Sequence, residues 1–246
     1  MIKVMEKSVF QYKVAPKQVD FTRRLSVSST FDIILGAAGD DAHSRGFGVD
    51  ALAQNNYGWV LSRICFELDY LPQEYSEFTL YTWISDYNRL SSTRNFELVD
   101  AEGREFGRAV SQWCMLDFST RMPADMNAMA KAHEGNMVDA PSPCERPRRL
   151  AALDGEPVLQ HRVTYSDIDF NRHMNTMRYI DIIFDTMPIE MLEKLDKLRM
   201  DINFMREARY GDELSLLCEE RDNNMRLYEF RNAAGDVLCR ASLEER

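Results

Sequence analysis

The sequence repeats one pattern of strands and turns in its two halves. Residues 61–80 match residues 197–216 in the spacing of their apolar positions, and residues 96–109 match residues 228–241. A repeat of this length indicates one supersecondary unit used twice. Each copy predicts a strand, a turn, a second strand, a hairpin and a further strand. The repeat therefore restricts the chain to an architecture with two similar halves.

The repeated segments have the composition of antiparallel strands. β-Branched and aromatic residues dominate residues 78–84, and Gly103 and Gly235 each close a short stretch that is typical of a hairpin turn. A stretch with helical spacing precedes the strands of each half, and Ser28 and Asn175 are the predicted N-caps of the two helices. The predicted apolar positions of these helices are Phe31, Ile34, Leu35 and Ala38 in the first, and Met177, Ile180, Ile183 and Phe184 in the second.

The order of these elements predicts an α+β fold with two tandem units, each a helix lying on an antiparallel sheet. We place the first half at residues 1–136 and the second at 158–246. Residues 137–157 are rich in proline and arginine and lack a clear period, which favours a linker. A single unit would leave an edge strand open, whereas two units can join their edges into one continuous sheet.

Composition argues against several classes of protein. The formal charge of -10 argues against a nucleic-acid binder with a broad basic face. No apolar run approaches the length of a membrane span, and the opening of the chain lacks the apolar block of a signal peptide, so we expect a cytoplasmic protein. The five cysteines are scattered, and the four histidines have no partner at metal-ligand spacing. We therefore expect reduced thiols, no metal site and no cofactor.

The most unusual local stretch is a run of polar residues just before the second helix. Aspartate, asparagine and histidine occupy every second position in it, namely Asp167, Asp169, Asn171, His173 and Asn175. In an extended chain these side chains would point to one side. Together with the free N–H groups of a helix N-terminus, they provide groups suited to acyl transfer, including an oxyanion site. Capping and turn formation explain one or two of these residues, so both interpretations stand.

Residues 166–180 closely resemble the signature of the acyl-acyl carrier protein thioesterases of plant plastids and bacteria, in which Asp-x-Asn-x-His-x-Asn precedes Tyr-Ile. The resemblance continues at residues 56–63, 81–85 and 94–97, and covers nearly the whole chain. It implies a double hotdog fold and the hydrolysis of fatty acyl thioesters. It also implies that Asp169, Asn171 and His173 are catalytic, and it places Glu207 at the position of the family's catalytic glutamate.

The chain departs from the family at one position. Plant members have a cysteine directly after the catalytic glutamate, whereas this chain has Ala208. Without that thiol, we expect water to attack the thioester carbonyl, with Glu207 as general base or water-positioning group and Asp169 assisting it. Asn171 and His173 would hold the water and the substrate, and backbone N–H groups near Asn175 would bind the oxyanion. Direct attack by Asp169, through an anhydride, is the competing route.

Six further residues are candidates for binding the substrate. The resemblance places the acyl-chain channel at the first helix and its sheet. The candidates for chain-length control in this channel are Phe31, Ile34, Leu35 and Trp59. Each of them could also be an ordinary core residue. Arg148 and Arg149 could dock an acidic acyl carrier protein and its phosphopantetheine phosphate, or could be solvated charges.

Two other functions remain open on the sequence. Hotdog proteins also act on coenzyme A thioesters, and a non-catalytic acyl-binding protein could use the same scaffold. The joint presence of the four polar residues Asp169, Asn171, His173 and Glu207 speaks against the second of these. The chain could act as a monomer or a homodimer.

Overall fold

The computed structural model describes residues 6–127, 137–221 and 224–246. The first half contains the elements β1 (Ser8–Lys13), α1 (Val27–Ser44), α2 (Val49–Ala53), β2 (Tyr57–Leu68), β3 (Glu77–Tyr87), β4 (Ser92–Asp100), β5 (Glu105–Asp117) and β6 (Met122–Pro123). The second half contains β7 (Leu159–Arg162), α3 (Thr176–Asp185), α4 (Ile189–Lys194), β8 (Leu198–Phe204), β9 (Glu213–Arg221), β10 (Met225–Asn232) and β11 (Val237–Glu245).

All the strands of the described residues form one antiparallel sheet. Its order is β1-β3-β4-β5-β2-β8-β11-β10-β9-β7, with β6 paired to β5. The second five strands repeat the order of the first five in reverse, and the halves meet where β2 pairs with β8, from Arg63 opposite Asn203 to Leu68 opposite Leu198. The predicted α+β fold, with two helix-on-sheet halves in one continuous sheet, is confirmed. The hairpin glycines are confirmed as well, because Gly103 and Gly235 have φ values of 81° and 83°.

The helices α1 and α3 contact each other, and both pack against the sheet. Phe31 of α1 lies 5.5 Å from Phe66 of β2, and Tyr179 of α3 lies edge-on to Phe230 of β10 at 5.0 Å, measured between ring centroids. Residues of both halves form a single hydrophobic core. Because successive strand residues point to opposite faces, the residues that alternate with this core lie on the other face of the sheet.

The segment that joins the halves crosses that other face at the seam. The backbone N–H of Arg148 donates to Asp201 at 2.7 Å, and that of Leu150 donates to Asn203 at 3.1 Å. Asp201 is fully buried, although it lies on the face opposite the helices. The segment therefore covers polar side chains of the sheet. The predicted first-half boundary at residue 136 lies outside the described residues.

The structure corrects one predicted helix start. The N-cap of α1 is Ser26, whose hydroxyl accepts the N–H of Ser29, and Ser28 lies in the first turn. Several serines at the start of one helix made the choice ambiguous, and the extended backbone of Ser26 decides it. Asn175 is the N-cap of α3, as predicted, and accepts the N–H of Met177 at 3.1 Å. Among the residues described, no helix is long and apolar enough to span a bilayer.

Candidate active site

The polar stretch before α3 folds into a tight turn. One oxygen of Asp169 accepts the backbone N–H of Asn171 at 2.8 Å and that of His173 at 3.1 Å. The backbone N–H of Asp169 in turn donates to the carbonyl of His173, and Arg172 at the tip has a φ of 64°. The stretch is therefore a turn, and its side chains do not share one side as they would in an extended chain. A short polar side chain that accepts backbone N–H groups favours a turn over a strand at this point.

His173 and Glu207 form the central pair of the site. Nε2 of His173 lies 3.1 Å from Oε2 of Glu207, and both side chains are partly exposed. The two loops that carry them are joined through the backbone, since the N–H of Met174 donates to the carbonyl of Ala208 at 2.8 Å. His173 and Arg209 form an isolated β-bridge beside this bond. The fold therefore brings together two residues that are far apart in the sequence.

Two arginines surround the carboxylate of Glu207. Arg209 lies 3.4 Å from Oε2 of Glu207, and Arg121 lies 3.7 Å from the same atom. Arg121 precedes β6 in the first half, so both halves contribute to the site. Sequence reasoning missed both residues. The position of Arg209, two residues after Glu207, was a usable signal for one of them, whereas Arg121 had none in the sequence.

Asp167 stabilises the turn through several hydrogen bonds. This buried side chain accepts the N–H of Thr164 at 2.7 Å and Nε of Arg178 at 2.8 Å, and lies 3.0 Å from Nε2 of His161. Burial alone would raise the pKa of Asp167, but these hydrogen bonds outweigh it and hold the pKa well below its usual range. Its backbone carbonyl accepts the N–H of Asn175 at 2.7 Å. Asp167 therefore fixes the start of α3 relative to the turn.

A cavity of about 530 Å³ opens beside the turn. Asp169, Phe170 and Asn171 line it, as do Asn175 and the first residues of α3. The rest of its wall comes from the first half and is mainly apolar. Neither His173 nor Glu207 lines the cavity, but Asp169, which does, accepts the backbone N–H of His173 and so connects the pair to the cavity wall. Polar groups that converge on an apolar cleft are typical of a small-molecule site.

The structure separates the predicted channel residues into two groups. Leu35 and Trp59 line the cavity, and Nε1 of Trp59 donates to the carbonyl of Phe47 at 2.9 Å. Phe31 and Ile34 are fully buried members of the core and do not belong to the lining. Helix periodicity predicted that Phe31, Ile34 and Leu35 all face the interior. It could not distinguish the residues that face the core from those that face the cavity.

The predicted docking arginines lie elsewhere. Nη1 of Arg148 donates to Glu244 at 2.8 Å, on the face of the sheet opposite the helices. Arg149, its neighbour, is exposed. The charge of Arg148 is therefore balanced within the chain, and its role in docking stays a prediction.

Comparison with known proteins relates this geometry to a family. Residues 6–131 match the model of the acyl-ACP thioesterase N-terminal domain, and residues 151–244 match that of the acyl-ACP thioesterase C-terminal domain. The chain belongs to the acyl-ACP thioesterase family. Its fold is accordingly the double hotdog.

Solved structures show the same similarity over the whole chain. A crystal structure of an acyl-ACP thioesterase from Bacteroides thetaiotaomicron has a TM-score of 0.88 and 35% identity, and the match covers 97% of each chain. The 12:0-ACP thioesterase from Umbellularia californica has a TM-score of 0.83 at 19% identity, again over 97% of each chain, and this likeness shows the fold alone.

Curated relatives are more distant and longer. An oleoyl-acyl carrier protein thioesterase from Coriandrum sativum is 23% identical, in an alignment that covers 84% of this chain and 61% of that protein. An acyl-carrier-protein hydrolase from Cuphea viscosissima is 25% identical over 68% of this chain and 42% of its own length. The chain thus spans about half of the length of these relatives.

The first half contains a second copy of the turn. Asp20 accepts the N–H groups of Thr22 and Arg24, and Arg23 has the same φ of 64° as Arg172. The N–H of Leu25 donates to the carbonyl of Pro72, as Met174 does to Ala208. The repeat then places Arg24 where the second half has His173, and Leu71 where it has Glu207. The first copy keeps the turn and lacks the histidine–carboxylate pair.

Proposed function

We propose that this chain hydrolyses the thioester of fatty acyl-acyl carrier protein and releases the free fatty acid. The observation that carries the proposal is the His173–Glu207 pair, with 3.1 Å between its nitrogen and oxygen, tied to a turn that borders a mainly apolar cavity. The cavity suits an acyl chain, and the pair suits the activation of water. Membership of the acyl-ACP thioesterase family supports the choice of substrate.

The proposed mechanism begins with water bound between Glu207 and the thioester carbonyl. Glu207 takes a proton from the water as it adds to the carbonyl carbon, and His173 orients the carboxylate through their hydrogen bond. The N–H of Thr176, in the first turn of α3 beside Asn175, stabilises the oxyanion. Collapse of the tetrahedral intermediate breaks the carbon–sulfur bond, and the proton passes to the leaving thiolate.

Two features of the site favour water over a covalent intermediate. Ala208 follows Glu207 and is buried, so the position of the plant cysteine offers no thiol. One oxygen of Asp169 is occupied by two backbone N–H groups, which lowers its nucleophilicity. We therefore assign Asp169 and Asn171 to holding the turn and the substrate. A single turnover in isotope-labelled water tests this assignment, because label found in the Asp169 carboxylate would establish the anhydride route.

Thioester hydrolysis by variants of the central pair tests the function. Acyl chains of several lengths are presented on acyl carrier protein and on coenzyme A, and the release of free thiol is followed. We expect turnover of the carrier-protein substrates, and a fall in kcat of about 10²–10⁴-fold in His173→Ala and Glu207→Gln. A wild-type protein that binds the acyl chains without releasing thiol would instead support an acyl-binding protein. A preference for the coenzyme A thioesters would identify coenzyme A as the carrier and would still support thioester hydrolysis.

We propose that the carrier protein docks beside the turn. Phe170 and Arg172 are both exposed on the turn that borders the cavity, where a carrier must deliver its phosphopantetheine arm. Arg172→Glu should raise the KM of carrier-protein substrates about tenfold, and should spare a small N-acetylcysteamine thioester. Arg149→Glu is the matched charge reversal on the other face of the sheet. A larger effect of Arg149→Glu than of Arg172→Glu would favour docking at the residues predicted from the sequence.

A further inference from the structure

A second group of polar side chains lines the cavity, on the strands of the first half. Tyr87 ends β3, and Ser92 and Arg94 lie on the neighbouring strand β4. Arg94 and Ser92 are each only 4% exposed. The wall around them is apolar and includes Leu61, Ile84 and Trp113 in addition to Trp59. Buried polar groups in such a wall need hydrogen-bond partners.

Arg94 is only partly satisfied by the protein. Its Nη1 donates to Asp41 at 2.6 Å and lies 3.3 Å from the hydroxyl of Thr82. A guanidinium carries five N–H donors. Those of Nε and Nη2 have no acceptor among the described residues. Asp41 also accepts Nε of Arg45 at 2.7 Å. Two arginines therefore share one carboxylate, and the cluster keeps a net positive charge.

The hydroxyl of Tyr87 completes this group. Its oxygen is buried and has no hydrogen-bond partner within the part of the chain that the structure describes. Burial raises the pKa of Tyr87 to about 12. Tyr87 pairs with Ser92 across β3 and β4, so its side chain lies on the same face of the sheet as Ser92 and Arg94. The group is thus a neutral hydroxyl that can both donate and accept.

An unsubstituted hydrocarbon chain is a poor occupant for this part of the wall. It would cover the open N–H groups of Arg94, would leave the hydroxyl of Tyr87 without a partner, and would give no hydrogen bond in return. A chain that carries an oxygen at this level would supply the missing partner instead. Such an oxygen accepts from Arg94 and pairs with Tyr87, while the rest of the chain contacts the apolar wall.

We propose that the substrate of this site is an acyl thioester whose chain carries a hydroxyl or oxo group, which Arg94 and Tyr87 recognise. The proposal rests on the proposed function and specifies its substrate class. Tyr87 and Arg94 are then specificity-determining residues in the half of the molecule that lacks the histidine–carboxylate pair.

A panel of thioesters with one chain length and one carrier tests the proposal. Decanoyl, β-hydroxydecanoyl, β-oxodecanoyl and ω-hydroxydecanoyl acyl carrier proteins are compared by kcat/KM. At least one oxygenated substrate should exceed decanoyl by about tenfold or more, because a site built to bond an oxygen discriminates against the analogue without it. If decanoyl equals or exceeds every oxygenated chain, the proposal is overturned and thioester hydrolysis still stands. If no thioester is hydrolysed, both proposals fail.

Variants of the polar group give the second part of the test. Tyr87→Phe removes one oxygen, and should lower the ratio of oxygenated to decanoyl kcat/KM about tenfold. Arg94→Lys keeps a charge beside Asp41, removes the open guanidinium donors, and should lower the same ratio. Tyr81→Phe, on the same strand and outside the cavity lining, is the matched control and should leave the ratio unchanged. An unchanged ratio in both folded variants overturns the proposal.

Discussion

The two halves contain matching turns, so an aspartate in such a turn does not by itself indicate a catalytic site. Asp20 and Asp169 make the same bonds to the backbone two and four residues later. Only the second turn presents a histidine to a glutamate, and that turn borders the cavity of about 530 Å³. The functional difference between the halves therefore comes from the neighbours of each carboxylate.

Replacing each of these aspartates by asparagine separates the two roles. An asparagine oxygen can still accept the backbone N–H groups, so both turns should persist while the charge is lost. We expect Asp169→Asn to lower kcat at least about 100-fold, because the charged carboxylate also holds the substrate in position for attack. Asp20→Asn should change kcat by less than about twofold. Steady-state kinetics on one acyl carrier protein substrate measures both. Similar losses in the two variants would mean that the charge serves the fold rather than the reaction.

The family resemblance pointed to four polar residues, whose catalytic roles stay predictions, and it did not show their arrangement. His173 and Glu207 meet because the loop before β9 bonds to the turn through Ala208, and a pairing between distant loops leaves no periodic signal in the sequence. Arg121 is the extreme case, because it approaches Glu207 from the other half. The polar group at Tyr87 and Arg94 was hidden for a different reason. Both residues lie in strands, where polar positions are normally assigned to water.

At the scale of elements, helix periodicity and the repeat predicted both main helices and the strands that follow them. They missed β1, β7 and the short helices α2 and α4, which are too short to show a period. The starts of α1 and α3 use the same device, an N-cap side chain that accepts a backbone N–H at 3.1 Å. The two starts differ in their surroundings, because the first turn of α3 borders the cavity beside the Asp169 turn.

The matched variants Asn175→Ala and Ser26→Ala test whether the start of α3 contributes to the reaction. Each should lower the free energy of unfolding by about 1 kcal/mol, since each removes one N-cap. Asn175→Ala should also lower kcat at least about tenfold, because the N–H groups of α3 would no longer be held at the oxyanion. Ser26→Ala should keep its kcat. Denaturant unfolding and steady-state kinetics give the two quantities, and equal kcat values would exclude an oxyanion role for this helix end.

At the scale of the whole molecule, a buried ionic network joins the two halves at their seam. Arg199 of β8 is fully buried and donates to Glu67 of β2 at 2.7 Å and to Asp201 at 2.9 Å. Arg108 of β5 donates to the other oxygen of Glu67 at 2.9 Å. Polar and apolar residues alternate along these strands, which suggests that the polar side faces solvent. The joining segment that covers this side has no hydrophobic period in its sequence. The sequence therefore gave no indication of the network.

This network makes the stability of the molecule sensitive to acid. Burial alone would raise the pKa of Glu67, but the hydrogen bonds from Arg199 and Arg108 outweigh it and hold the pKa below its usual range. The folded protein therefore binds a proton at Glu67 less readily than the unfolded chain does. The stabilisation is complete above the unfolded pKa of about 4.3, and it is lost as the pH falls through the lower pKa of the folded state.

Glu67→Gln tests this linkage, with Glu213→Gln as the control on an exposed ion pair to Arg162. At neutral pH, Glu67→Gln should lower the free energy of unfolding by about 2 kcal/mol, because Arg199 and Arg108 lose a charged partner and keep their bonds to Asp201 and Asp69. Below about pH 5, its stability should fall less steeply than that of the wild type, since one proton-linked group is missing. Glu213→Gln should change stability by less than about 1 kcal/mol at neutral pH, where exposed pairs contribute little. Denaturant titrations at a series of pH values give both quantities. If wild type and Glu67→Gln lose stability in acid with the same slope, the acid sensitivity arises at other carboxylates, and the seam between the halves is held mainly by the β2–β8 pairing and the shared apolar core.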